Sequence, residues 1–228
     1  MIPLRDENPS RNPPYVVWAL IAANALVFLL ELSLPPDSLQ EFFVLFGIVP
    51  ARFTHPEWAR ALGFPVDDWW PFLTSLFIHG GWFHIIGNMW FLWIFGDNVE
   101  DRMGHGRFLL FYILCGVIAG FAHLVTNPTS TIPAFGASGA ISGVLGAYLL
   151  FFPRARVLVL FPIIIWPFLF VLPASIFLGL WFFIQFFSGT FSLLAPSEGG
   201  GVAWWAHIGG FVAGLSLAPY FLPRRKPR

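Results

Sequence analysis

Long apolar stretches separated by short polar connections set the pattern of this chain. Residues 15–34, 78–96, 108–125 and 202–222 are each apolar over the roughly 20 residues a helix needs to cross a hydrocarbon core. Two further stretches are less regular. Residues 137–152 are apolar but short, and 157–187 form one apolar run interrupted by Pro162, Pro167 and Pro173. Proline removes a helical hydrogen bond and clashes with the preceding turn, so the helix in this run is placed from Pro173 onward. The pattern predicts an all-α fold: a polytopic bundle of six transmembrane helices.

The connections carry their own signals. Residues 35–71 combine acids (Asp37, Glu41, Glu57, Asp67, Asp68) with aromatics such as Phe42, Phe43 and Phe46 at irregular helical spacing, which predicts short helices lying along the membrane interface. Residues 126–136 are uncharged and contain Pro128 and Pro133. Such a loop is expected to dip below the membrane surface, where irregular backbone survives only if protein or trapped water satisfies it. A dipping loop also accounts for the shortness of the next helix and places Ser138 at its submerged start.

Composition agrees with the pattern: 57% of the residues are hydrophobic and 11% charged, with 28 Phe and 11 Trp. This is the composition of an integral membrane protein. The formal net charge is zero, yet the basic residues are sorted. With the N-terminus inside, Arg5, Arg11, Arg102, Arg107, Arg154, Arg156, Arg224, Arg225, Lys226 and Arg228 fall on the cytoplasmic side, leaving Arg52 and Arg60 outside. Both termini are expected in the cytoplasm, and the basic tail reads as a topology anchor instead of a nucleic-acid patch. The expected organisation is a cytoplasmic segment 1–14, a membrane domain 15–222 and a basic tail 223–228. The first apolar stretch reads as an uncleaved helix, although Ala23-Asn24-Ala25 faintly resembles a cleavage site. A single cysteine, Cys115, allows no intrachain disulfide and is expected to pack.

Topology brings the candidate chemistry together. The second, fourth and sixth predicted helices all begin on the outer side, so His84, Asn88, Ser138 and His207 lie in one layer. Gly139 and Gly143, like Gly210 and Gly214, have G-x-x-x-G spacing, which lets two helix backbones approach closely enough for Ser138 to reach His207. A serine becomes a strong nucleophile when a base takes its proton. His84 and Asn88, four residues apart, share one helix face and offer hydrogen-bond donors; the Ser138 N–H at a helix start is a third. Beside an acyl-transfer serine such donors form an oxyanion hole. The alternatives are a helix N-cap for Ser138, a packing histidine for His207 and an interhelical contact for the His84/Asn88 pair.

These residues carry a resemblance to the rhomboid intramembrane serine proteases. It rests on His84-x-x-x-Asn88, on Gly136-x-Ser138-Gly139 and on Ala206-His207-x-x-Gly210, in order along a six-helix core, with Glu100-x-x-x-Gly104 in an expected structural role. The resemblance implies a Ser138/His207 dyad without a third carboxylate, no cofactor and no metal. It implies endoproteolysis of single-pass transmembrane proteins on the outer side of a bacterial-type cell membrane, with lipid as surroundings and no nucleic-acid partner. It also implies a lateral gate at the fifth helix, for which Trp181 and Gln185 are candidates, with Gly199-Gly200-Gly201 as a flexible approach to the sixth.

Two departures stand out. Family members often carry Trp-Arg in the first loop, where this chain has Trp69-Trp70-Pro71, and an aromatic four residues after the nucleophile, where it has Ser142. Ser142 either bonds the imidazole of His207 or bonds back to its own helix. His79 and His123 suggest hydrogen-bonding roles; His55 and His105 suggest none. The alternative function is an inactive rhomboid-like module that binds or chaperones membrane segments. A transporter is less well matched, because the polar groups gather at one end of the helices instead of lining a route across. Zinc and aspartyl chemistry lack their motifs.

Overall fold

The computed structural model describes residues 1–65, 67–163, 166–194 and 202–223. Six long helices occupy the six predicted stretches: α1 (Tyr15–Ser33), α6 (Trp82–Met103), α7 (His105–Thr126), α8 (Ser138–Phe151), α9 (Ala174–Leu194) and α10 (Trp204–Leu217). By length and composition, Tyr15–Ser33, His105–Thr126 and Ala174–Ser192 are long and apolar enough to cross a membrane, and Ser138–Phe151 is a shorter apolar helix. The helix expected to close at residue 96 runs on to Met103, because nothing in the polar turns beyond Gly96 interrupts helical hydrogen bonding. Gly104, at φ 82°, ends it in a conformation that favours glycine.

Four short helices build the first connection: α2 (Pro36–Phe46), α3 (Pro50–Thr54), α4 (Pro56–Ala61) and α5 (Pro71–Thr74). Each opens on proline, whose fixed φ and missing N–H suit the first helical position. The absence of arginine beside Trp69 and Trp70 is made good from elsewhere. Arg52 is fully buried and donates to the carbonyls of Pro65 and Leu45 and to the Asp68 carboxylate at 3.1 Å.

The fold is mostly helical, but all-α needs correction: the chain also forms a three-stranded antiparallel sheet in the order β1 (Ile2–Asp6), β2 (Arg156–Ile163), β3 (Trp166–Pro173). β2 and β3 form a hairpin in the register Pro162↔Pro167, with α9 starting at Ala174 just after it. The apolar run between α8 and α9 is therefore strand before it is helix. β-branched and aromatic residues favour the pleated surface, while the prolines forbid a helix.

The segment ahead of α1 is folded against the bundle. β1 pairs with β2, the Trp90 indole donates to the Pro3 carbonyl at 2.6 Å, and Asn98 donates to the Asn8 carbonyl at 2.8 Å. Tyr148 donates its hydroxyl to the Asp6 carboxylate. Burial raises Asp6 from the ordinary aspartate value to about 6, against the Tyr148 hydrogen bond and with the Asp97 carboxylate adding to the rise. Glu100, also buried, caps the start of α1 by accepting from the N–H groups of Val16 (2.9 Å) and Val17 (2.8 Å). His105 bonds the same carboxylate, giving that residue a place in the network that its sequence position did not suggest.

At the centre stands α8, where every residue from Gly139 to Tyr148 is buried, packed against α6, α7, α9 and α10. Small residues dictate its neighbours. A Cβ on Gly214 would lie 2.0 Å from the Gly143 carbonyl oxygen, and one on Gly210 equally close to the Gly139 carbonyl oxygen. The α8–α10 crossing is thus a backbone-to-backbone contact.

Candidate active site

Ser138 is the first residue of α8, and His207 lies one turn into α10. The close crossing brings Ser138 Oγ and His207 Nε2 to 2.8 Å, across 69 residues of sequence. On its other side His207 Nδ1 lies 2.7 Å from Gln185 Oε1. An amide oxygen only accepts, so Nδ1 carries the proton and Nε2 presents its lone pair to the serine hydroxyl. Gln185, on α9, thereby sets both the ring's orientation and its tautomer. Sequence reasoning assigned Gln185 to a gate and missed this contact; the amide is separated from the histidine by residues 186–206, and no local pattern links the two.

Ser142 does not reach the imidazole. Its hydroxyl donates to the Ser138 carbonyl at 2.7 Å, the back-bonding alternative.

His84 and Asn88 line the same cavity as Ser138 and His207. The Gly80 N–H points at His84 Nδ1, 3.4 Å away, leaving Nε2 as the donor nitrogen that faces the site. Asn88 Nδ2 is a buried donor with no protein partner among the described residues. Gly136 fits against both: a Cβ there would stand 2.6 Å from His84 Nε2 and 3.6 Å from Asn88 Nδ2, and its φ of 128° already favours glycine. The cavity has a volume of about 1200 Å³ and also takes in Phe135, Trp181 and Gln185. Trp181 packs toward His207, with ring centroids 6.1 Å apart.

The loop ahead of Ser138 is held by the first connection. Ile48 and Ala134 exchange hydrogen bonds of 2.8–2.9 Å, Ala51 donates to Ser130 at 2.9 Å, and Gly136 donates to Ser75 at 2.8 Å. These bonds satisfy irregular backbone that water would otherwise have to serve. Phe135 stacks on Phe43, centroids 4.6 Å apart, tying the aromatic spacing of the first connection to the site.

Of the remaining histidines, His123 also lines this cavity, whereas His55, His79 and His105 do not. His79 is buried; its backbone N–H donates to the Glu31 carboxylate, and its ring sits 5.0 Å from that of His84. His123 meets Asn127 Nδ2 at 3.3 Å, and His55 meets the Thr54 hydroxyl. Among the described residues, no three His, Cys, Asp or Glu side chains cluster as metal ligands would. Gly199-Gly200-Gly201 and the basic residues Arg224, Arg225, Lys226 and Arg228 fall outside the described residues.

Comparison with known proteins adds three findings. The family model described as "Rhomboid domain" matches residues 66–224. "Rhomboid protease GluP" of Bacillus subtilis (strain 168) is 44% identical over 82 residues, which cover 36% of this chain and 16% of that protein. "Presenilin-associated rhomboid-like protein, mitochondrial" of Mus musculus is 34% identical over 147 residues, 64% of this chain and 35% of that protein. The chain thus spans well under half the length of these relatives.

Proposed function

Because the chain belongs to the rhomboid family, we propose that this integral membrane protein is a serine endopeptidase that cleaves transmembrane segments of single-pass membrane proteins. The observation that carries the reading is the 2.8 Å contact between Ser138 Oγ and a His207 whose far nitrogen is held by Gln185. In this reading the six long helices are six membrane crossings, with the N-terminus and the basic tail cytoplasmic and the site toward the outer side. Residues 15–222 form the membrane domain.

The chemistry follows from the donor and acceptor pattern. His207 Nε2 takes the hydroxyl proton as Ser138 Oγ attacks a peptide carbonyl, and the carbonyl π electrons move to oxygen. His84 Nε2–H, Asn88 Nδ2–H and the Ser138 N–H receive that oxyanion; removing one such donor typically costs roughly 10²–10³ in rate. Collapse breaks the C–N bond, with the His207 proton passing to the leaving amine. Water, deprotonated by the same nitrogen, then hydrolyses the acyl-serine. Gln185 replaces the usual carboxylate with a neutral acceptor, which orients the ring without adding buried charge. Trp181 and Gln185 stand where a substrate segment entering beside α9 reaches the cavity.

The test compares wild type, Ser138→Ala and His207→Ala in liposomes on a transmembrane substrate, with fluorophosphonate labelling alongside. Cleavage and labelling by wild type alone are expected. Cleavage retained by Ser138→Ala overturns the dyad. An unlabelled, inert wild type that still binds membrane segments points instead to the non-proteolytic rhomboid-like module.

A further inference from the structure

The hairpin of β2 and β3 sits at the end of α8 opposite Ser138, and its composition is unlike that of a water-facing sheet. From Val157 to Ala174 there is no charged, hydroxyl-bearing or amide side chain. An antiparallel sheet with one wet face alternates apolar and polar residues. β3 does not alternate: Phe168 and Phe170 on one face, and Leu169 and Val171 on the other, are all exposed, as is Trp166. Apolar side chains stand open on both faces of one strand.

The backbone is adapted to the same surroundings. Pro162 stands opposite Pro167, and Pro173 opposite Arg156. Proline donates no hydrogen bond, so these pairs occupy the ladder positions that are not hydrogen-bonded, where N–H groups point away from the partner strand. By the two-residue alternation, the outward positions of β3 are 167, 169, 171 and 173. Prolines remove the donor at two of them, leaving only Leu169 and Val171 with free N–H groups on this edge. The other edge of the hairpin is covered by β1.

Continuity identifies what surrounds these faces. β3 leads directly into α9, the Ala174 N–H donating to the Ala155 carbonyl at 2.7 Å. The exposed apolar surface continues along α9 through Ile176, Leu180 and Phe183, which is a lipid-facing surface in a membrane protein. At the base of the hairpin Arg154 and Arg156 are exposed, Arg156 paired with Glu7 at 3.4 Å, and Arg154 stands in the position of a headgroup-contacting cation.

We propose that the β2–β3 hairpin is a membrane-inserted blade, with lipid acyl chains against both faces of β3 at the headgroup–acyl boundary of the leaflet opposite the Ser138 side. The boundary, instead of the hydrocarbon centre, is set by the edge: the outward carbonyls and the two free N–H groups need water within reach. The hairpin anchors the start of α9. Gln185, whose amide holds His207, lies roughly 17 Å along the helix from Ala174 at 1.5 Å per residue.

Nitroxide labels on single cysteines, introduced into a Cys115→Ala background, test this in phosphatidylcholine/phosphatidylglycerol liposomes. Leu169→Cys and Phe170→Cys are compared with Phe183→Cys as a lipid reference and Arg11→Cys, exposed in the segment ahead of α1, as an aqueous one, by power saturation with oxygen and a nickel chelate. The expected oxygen-to-nickel accessibility ratio at Leu169 and Phe170 is several-fold above that at Arg11 and below that at Phe183, as a site at the boundary requires. A ratio matching Arg11 overturns the proposal, as does dipolar broadening at Leu169, which marks β3 pairing with a second copy. Unmodified protein gives an independent check that needs no substitution. A membrane-partitioned aryl diazirine is expected to label peptides of 161–173 as it labels α9, and labelling of α9 alone overturns the insertion.

Discussion

Replacing Gln185 by leucine keeps the volume but removes the acceptor that holds His207 Nδ1 at 2.7 Å. Two effects follow. The imidazole N–H loses its partner in a buried site, a cost of about 1–3 kcal/mol, and the ring is no longer biased toward the tautomer that offers Nε2 to Ser138. If that cost falls on the transition state, the rate drops about 5- to 150-fold, at 1.36 kcal/mol per tenfold. The loss is expected in kcat, with KM little changed, because the contact serves the base and not the substrate. Gln185→Glu retains an acceptor at the same reach and is expected to recover much of the rate. The assay is steady-state cleavage of a fluorogenic transmembrane peptide in liposomes, with the fluorophosphonate labelling rate as a substrate-independent measure of Ser138 reactivity. If Gln185→Leu raises KM while leaving kcat and labelling unchanged, the amide lines an entrance and the positioning role is refuted.

Three further outcomes follow from packing and charge. Gly214→Ala forces a Cβ against the Gly143 carbonyl, and overpacking of this kind costs about 1–3 kcal/mol; the detergent Tm should fall and Ser138 labelling with it, whereas an unchanged Tm contradicts the backbone contact. Glu100→Ala strips the Val16 and Val17 N–H groups of their acceptor, an expected loss of roughly 1–3 kcal/mol seen as earlier unfolding of α1, with Glu100→Gln losing less. For Asp6, held at about 6 by burial, the folded state keeps a proton that the unfolded chain releases, so its contribution to holding β1 is full below the ordinary aspartate value and is lost as pH rises through about 6. Hydrogen exchange in β1, corrected for intrinsic rates, should therefore be slower at acid than at neutral pH. Asp6→Asn should abolish the difference, and a difference that survives the substitution assigns it elsewhere.

The parts legible in the sequence were those with a periodic or compositional signature. Apolar length marked the six helices, and the prolines placed the start of α9 at its observed position. Glycine spacing announced the α8–α10 crossing, and with it the meeting of Ser138 and His207. The hairpin was missed because a continuous apolar run has no alternation to separate strand from helix, and its β1 partner is far away in the sequence. The buried Arg52 that bonds the first connection was equally hidden: its acceptors are mostly backbone carbonyls, which leave no trace in side-chain identity.

Sequence alone determined that this chain lives in a membrane, how its helices follow one another, and which polar residues share a depth, because the cost of unpaired polar groups in hydrocarbon dictates where each residue type is tolerated. Tertiary structure decided what holds His207. On sequence grounds the one residue considered for that part was Ser142, at the family position, while the α9 amide was assigned to a gate. Only the packing of α9 against α10 brings Gln185 Oε1 to the imidazole, while helix geometry turns the Ser142 hydroxyl back onto its own backbone. A hydrogen bond acts over about 3 Å, and such distances arise from the packing of whole helices.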